Sequence, residues 1–367
     1  MSARRWSMGL VIAAMCGGGV ARAQDSQFSI AGLGTPGRLE SVRSRSTGGA
    51  FAAFDPESPF TDAALVDLRN ATATAAQGAS FRDVSTPGSS TWLRTTRFPV
   101  LSLGGPLSNR LVVGVSFSTY LDQTYDAVTR DSQLLRGTMQ PFNNSISSDG
   151  GVTDVRLAAA LRIGSRLAVG LGFHDLAGST RQNATRIYDD TTDYVTVVQT
   201  GTVTYSGWGI SGGAILRILP TAAIAVFARQ DQALHSHVGD SLVATNNLPA
   251  TYGGALMLTP EPTLRIAGSV DWQSWSRTGA GAFNTMAWSA GLEIGRTTPL
   301  RIGVRGDQLP FGPGTSAPTE TGVAVGTSTT LAKGHGVIDV GLERLSRSGS
   351  GLQEEVWTLL VGVTVRP

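Results

Sequence analysis

The sequence predicts an all-β fold: a transmembrane antiparallel β-barrel of about fourteen strands with an N-terminal hatch or plug segment in its lumen. Three observations carry this prediction: a glycine-rich, charge-poor composition, a period-two alternation over most of the chain, and a recurring order of short and long connections. Gly accounts for 46 of 367 residues, only 15% are charged, and Lys333 is the single lysine. Each Gly in a helix interior costs about 1 kcal/mol against Ala, which excludes a mainly helical protein. With 41% hydrophobic residues and a formal charge of +2, disorder is excluded as well.

Residues 1–23 read as a signal peptide. Arg4 and Arg5 form a basic start, Met8 to Val20 an apolar stretch too short to span a membrane, and Ala21-Arg22-Ala23 a small-x-small cleavage site. Cys16 lies inside this segment, so the mature chain would contain no cysteine. Cleavage removes three arginines and takes the formal charge to about −1, so the basic balance implies no nucleic-acid partner. The longest later apolar stretch, Ala214 to Ala228, is broken by Arg217 and Pro220. Export without a helical anchor is the expectation.

Residues 24–67 do not alternate. Gly32, Gly34, Pro36, Gly37, Gly48, Gly49, Pro56 and Pro59 punctuate them, while Phe51, Phe54, Phe60 and Leu65 demand an apolar environment. A stretch of ~40 irregular residues that still needs burial fits a segment packed inside a barrel.

Residues 68–367 alternate. Leu111, Val113, Val115, Phe117 and Leu121 are expected to face outward, between Gly114, Ser116, Ser118 and Tyr120. Val155 to Ile163, Leu300 to Val304 and Trp357 to Val365 repeat the pattern. Strand centres fall near Ala75, Phe98, Val115, Leu161, Gly172, Gly213, Val226, Ala255, Ala267, Gly291, Val304, Val325, Val340 and Val361. Short connections near 104–109, 164–166, 219–221, 260–262, 296–299 and 332–336 are expected to alternate strictly with long polar ones, including 124–150, 176–203, 231–249 and 308–319. Short turns on one rim and long loops on the other are an outer-membrane signature. Trp208, Trp272, Trp288, Trp357, Phe117 and Phe173 should form an aromatic belt near the long-loop rim.

Eight arginines (156, 162, 217, 229, 265, 301, 305 and 366) and the acids Asp154, Asp231, Asp271, Glu293, Asp307, Asp339, Glu343 and Glu355 are assigned inward, close to balance. They read as salt-bridged rungs, or as partners for the anionic headgroup of an amphipathic ligand. Chemistry of other kinds is thinly supported. Gly-x-Gly-x-x-Gly at Gly32 and Gly207 sits in no βαβ unit, and His235-Ser236-His237 lacks a third zinc ligand. His174 points inward beside Asp175, with no serine assignable to it.

Ser46-Thr47-Gly48-Gly49-Ala50-Phe51, then Asp55, Ser58 and Asp62-Ala63-Ala64-Leu65, resemble the N-terminus of the FadL/OmpP1 family of outer-membrane transport proteins, whose Asn-Pro-Ala-x-Leu motif carries Asp62 and Ala63 here. Segments 300–305, 319–323, 336–343 and 352–357 are similar to the C-terminal part of such barrels, although this chain ends Val365-Arg366-Pro367 where an aromatic is common. The resemblance implies a fourteen-stranded barrel with an N-terminal hatch that takes up hydrophobic compounds. Ligand contacts are then expected at Phe51, Phe54, Phe60, Arg156, Arg301 and Arg305, and gating around Gly48, Gly49, Asp62 and Ala63. Expected partners are outer-membrane lipid and lipopolysaccharide and a hydrophobic small molecule. No nucleic acid, metal or cofactor is expected, and the chain is not expected to be an enzyme. Two alternatives stay open: a non-transporting barrel scaffold for an exported protein partner or secretion system, and a barrel lipid hydrolase using His174.

Overall fold

The computed structural model describes residues 26–366 except 87, 88, 280 and 313, and for 84–99 the backbone only. The expected signal peptide, residues 1–23, lies outside the described residues, as do 24 and 25. Fourteen antiparallel strands form the barrel wall: β1 (Thr72–Thr86), β2 (Ser89–Pro106), β3 (Leu111–Asp122), β4 (Thr138–Ile163), β5 (Leu167–Tyr188), β6 (Val197–Leu219), β7 (Ala222–Asp231), β8 (Ala250–Glu261), β9 (Leu264–Gln273), β10 (Thr285–Ile294), β11 (Leu300–Gln308), β12 (Thr319–Leu331), β13 (Gly336–Gly349) and β14 (Leu352–Val365). Each strand pairs with the next, and β14 closes on β1 from Gln353↔Ser85 to Val365↔Ala73. Every centre read from the alternation falls inside one of these strands.

The two faces follow the parity. Val155, Leu157, Leu161 and Ile163 on β4 are exposed, while Val152, Asp154, Arg156, Ala158 and Ala160 are buried. Trp208, Trp272, Trp288, Trp357, Phe117 and Phe173 all project outward, with Phe173 stacked on Trp208 and Trp272 on Tyr252 at 6.3 Å. Amphipathic rings at the level where lipid gives way to water suit an outer-membrane barrel.

Three readings are corrected. First, Leu121 is fully buried rather than outward: the β3–β4 register shifts between Thr119 and Leu121, and this bulge turns Leu121 to the interior. Second, Glu355 is exposed and pairs with Arg344 at 2.6 Å, while Glu354 faces inward. Period two from the outward Trp357 places Glu355 outward and Glu354 inward. Third, short and long connections do not alternate strictly, since β13 and β14 are joined at the long-loop rim by Ser350 and Gly351 alone. The stretches read as long polar loops are also largely β-structure. β4, β5 and β6 run 26, 22 and 23 residues, far beyond the ~10 that span the apolar layer. Strand Tyr125–Leu135 hairpins onto β4, and the hairpin Ala233–Val238/Ser241–Asn247 pairs with β6. The result is a sheet blade standing above the rim.

Residues 26–71 thread the lumen from the loop rim to the turn rim. At the top, the Ser26 hydroxyl donates to Glu354 at 2.7 Å, and Thr35–Pro36 pair with Asp122 and Leu121. Midway, Thr47 and Gly48 lie against the wall at Gly291 and Gly303, and Asp62 and Ala63 lie against Gly170 and Gly172. At the bottom, Glu57 pairs with Arg366 and Asp67 with Arg217, both at 2.6 Å. Phe54, Ala63, Ala64, Leu65 and Val66 bury themselves with wall residues Val112, Ala158, Ala168, Ile215 and Ala225. Each large side chain buried there stabilises the docked segment by roughly 1.5–3 kcal/mol.

The wall is thinnest between β2 and β3. Their pairing covers only Val100–Pro106 against Val112–Ser118, and a bulge opposite Ala76–Gly78 lies at Phe98–Pro99. Pro99 has no N–H to give to a ladder. Above it, the free side of β3 is taken by the lumenal segment, through Thr35–Pro36 and through the Gly37 N–H donating to the Tyr120 carbonyl at 2.9 Å.

Candidate functional site

A cavity of about 210 Å³ lies in the lumen between the N-terminal segment and the loop rim. Its floor is Pro36 to Glu40, Gly48, Gly49 and Pro59 to Asp62; its wall is the loop-side ends of β7 to β13 with Tyr120 of β3, His174 of β5 and Ser211 of β6. Phe60 and Phe227, edge to face at 4.9 Å, and Leu39 form its apolar side. Over it at the rim sits an apolar cluster built on Leu121, Leu176, Leu234, Leu248, Trp275 and Phe311. A second cavity of about 120 Å³ shares Pro36, Gly37, Arg38, Leu345 and Arg347 with the first and reaches Thr119 and Asp122 of β3. Together the cavities lead from under the rim toward the thin part of the wall.

The floor is held by a built-in turn and a buried carboxylate. Gly48 and Gly49 take φ of +69° and +96°, left-handed values that favour glycine, and a Cβ on Gly48 would lie 2.6 Å from the Val304 carbonyl oxygen. Asp55 ties this turn to the rest of the segment, accepting from the Ser41, Ser44 and Ser58 hydroxyls at 2.5, 2.8 and 3.1 Å and from the Glu57 N–H at 3.2 Å. Burial alone would push its carboxyl up. Arg43 and the Ser41 and Ser44 hydroxyls outweigh burial and hold it below the ordinary carboxylate range.

Asp62 joins the segment to the wall. It sits 3.3 Å from the Arg156 guanidinium and accepts from the Ser211 hydroxyl at 2.6 Å. Ser211 is 2.8 Å from His174 Nε2, and His174 Nδ1 lies 2.9 Å from Asp154, which also binds Arg229 at 2.6 Å. An Asp-His-Ser series is the layout of a hydrolytic triad, but here the serine gives its proton to a carboxylate. Asp62 stands where an attacked carbonyl would have to enter, and its charge would oppose an oxyanion. The series ties the segment to the wall. Sequence parity turns His174 inward, yet only the β5–β6 register, with Gly172 opposite Ser211, reveals its partner.

The expected ligand contacts separate. Phe60, Arg305, Gly48, Gly49 and Asp62 line the large cavity. Phe51 is buried with Ala50 and Ala267, and Phe54 with the Ala63 cluster, away from it. Arg301 is buried in a knot with Glu293 at 2.8 Å, Asp339 at 2.7 Å and Ser328 at 3.1 Å. Arg156 borders a smaller space near Leu65 and Leu68, and Ala63 is packed on Gly170. Arg305 pairs with Asp307 and, at 3.2 Å, Glu320. These arginines are engaged by wall and segment carboxylates and serve first as rungs that fix register.

The barrel is similar in fold to solved outer-membrane channels. The crystal structure of a Pseudomonas aeruginosa FadL homologue superposes with a TM-score of 0.64 at 11% identity, covering 90% of this chain and 99% of that one. The Pseudomonas putida toluene transporter TodX gives 0.61 at 13% identity, over 90% and 99%. The CymD monoaromatic hydrocarbon channel gives 0.57 at 13%, over 91% and 98%. None of the curated protein sequences matches. The FadL/OmpP1 resemblance read from the two ends of the chain thus holds as a likeness of fold. The family model that matches is a different one, BamG, over residues 5–231, well over half the chain. By sequence the chain belongs to the BamG family, on a barrel fold it shares with FadL-type channels.

Proposed function

We propose that this barrel passes small hydrophobic or amphipathic compounds across the outer membrane by passive diffusion, with the N-terminal segment as a movable hatch. The observation that carries the reading is the cavity between hatch and rim, with Phe60, Phe227 and Leu39 on its apolar side. Pockets of this kind, apolar with a few placed polar groups, are where small ligands bind. Two further features support it. The weakly paired stretch between β2 and β3 provides a side exit to the lipid, and the Asp62–Ser211–His174 latch provides a discrete point of release. That two fold neighbours are a monoaromatic hydrocarbon channel and a toluene transporter agrees with it. Proteoliposomes carrying the full chain should take up toluene faster than empty liposomes, and Ser211→Ala should raise the rate by loosening the hatch. Equal uptake with and without the protein would end the transport reading.

A second reading, a scaffold for an exported protein or secretion partner, is favoured by the blade. Val128, Leu134, Met139, Ile146, Val197 and Val198 are exposed on it, above the strand length that spans lipid. A stoichiometric partner that co-purifies with the full chain and is lost when residues 126–147 are removed, with toluene uptake absent throughout, would favour this second reading.

A further inference from the structure

Four arginines and six carboxylates line the large cavity. Five of those carboxylates have an arginine: Glu40 with Arg38, Asp62 with Arg156, Asp231 with Arg229, Asp307 with Arg305, and Glu320 with Arg347. Asp271 is the sixth. Among the described residues it has no ion pair, and it accepts a hydrogen bond from Gln273 Nε2 at 3.2 Å. It faces inward on β9 between two small neighbours in register, Gly253 on β8 and Ala287 on β10, so its carboxylate sits in a recess of the cavity wall. The Phe227 ring lies across that recess: a Cβ on Gly253 would overlap the ring and lie 2.8 Å from Asp271 Cβ. Phe60 extends the aromatic surface from there. On the rim side, Trp275 Nε1 donates to Gln273 Oε1 at 2.7 Å and so fixes the amide that holds Asp271.

We propose that Asp271 is the counter-ion for a protonated amine, and that the cavity prefers organic ammonium compounds with an aryl or alkyl tail over their neutral and anionic counterparts. This rests on the reading of the lumen as a path for small hydrophobic molecules and specifies the headgroup. An apolar ligand filling the cavity strips water from an unpaired carboxylate, which is costly. An ammonium replaces that water with a charge-assisted hydrogen bond, and the Phe227 face adds a cation–π contact. An anion meets arginines that each already pair with a carboxylate, and it adds to the excess of negative charge. A bare metal ion is poorly served, because one carboxylate and an amide fall short of the six or more oxygens a hard cation such as calcium takes.

The test is calorimetric titration of the full chain in a non-ionic detergent with 2-phenylethylamine, 2-phenylethanol and 3-phenylpropanoate, repeated on Asp271→Asn. The wild type should bind the amine at least about tenfold tighter than the alcohol, and the anion weakest. The variant should bind amine and alcohol alike, and the alcohol at least as tightly as the wild type does, because no charged carboxylate remains to be desolvated; binding of the alcohol also shows that it is folded. Equal affinity for amine and alcohol in the wild type, or an amine preference that survives D271N, overturns the proposal. If no probe binds, the proposal also fails. Toluene uptake by proteoliposomes then decides separately whether the transport reading stands.

Discussion

Glycine at position 303 shows how a single atom sets the position of the lumenal segment. On the inward face of β11, a Cβ there would overlap the Thr47 carbonyl group and the Gly48 nitrogen. These are backbone atoms, which cannot swing aside as a side-chain tip does, and overpacking of this kind costs about 1–3 kcal/mol or more. Gly303→Leu should therefore leave the barrel folded and displace the Ser46–Gly49 turn. Limited proteolysis checks this: the segment should be cut well before the wall, whereas an unchanged digest would mean that Thr47 does not bear on Gly303. Inward glycine is visible in the sequence by parity. The residue it makes room for is not, because that residue comes from some 250 positions earlier in the chain.

The lumenal segment as an element is organised around Asp55. Asp55→Asn weakens a buried, charge-assisted set of hydrogen bonds worth about 1.5–3 kcal/mol. Hydrogen exchange at residues 41–58 should speed up by the corresponding factor, with little change in β1 to β14. The pH dependence has a definite sign. Because the Asp55 carboxyl titrates below its ordinary range when folded, its contribution is complete above the unfolded value of about 3.9. It is lost as pH falls from there through the lowered folded value. The protection difference between wild type and D55N should accordingly be flat above about pH 4 and shrink below it. Comparison with the variant is needed because Glu57 shifts the opposite way, raised first by burial and then by Asp55. Among the strands, the bulge at Tyr120 has a matching role. It frees the Tyr120 hydroxyl to donate to Asp231 at 2.8 Å while Leu121 joins the rim cluster, something strict alternation could not express.

For the whole molecule, the barrel and the blade are separable by length. If residues 126–147 serve a partner and not the wall, removing them should leave the barrel's thermal unfolding within a few degrees of the full chain, since the exposed hairpin covers little of the lumen. A large drop measured by circular dichroism would show that the blade braces the rim. The sequence by itself determined the strand count, the lipid-facing and lumenal faces, the aromatic belt and the burial of the segment with Phe51, Phe54 and Phe60. The first three follow from local periodicity, because a strand's side chains alternate whatever it pairs with; the last follows from large apolar residues in a stretch that has no period. Only the tertiary structure decided which inward groups meet. It set Ser211 beside His174, left Asp271 without an ion pair among the described residues, drew Arg301 into a buried knot instead of the cavity, and left β2 and β3 joined over seven residue pairs. Those outcomes depend on register between strands and on the path of a segment with no period of its own, and neither is written in the spacing of residues along one strand.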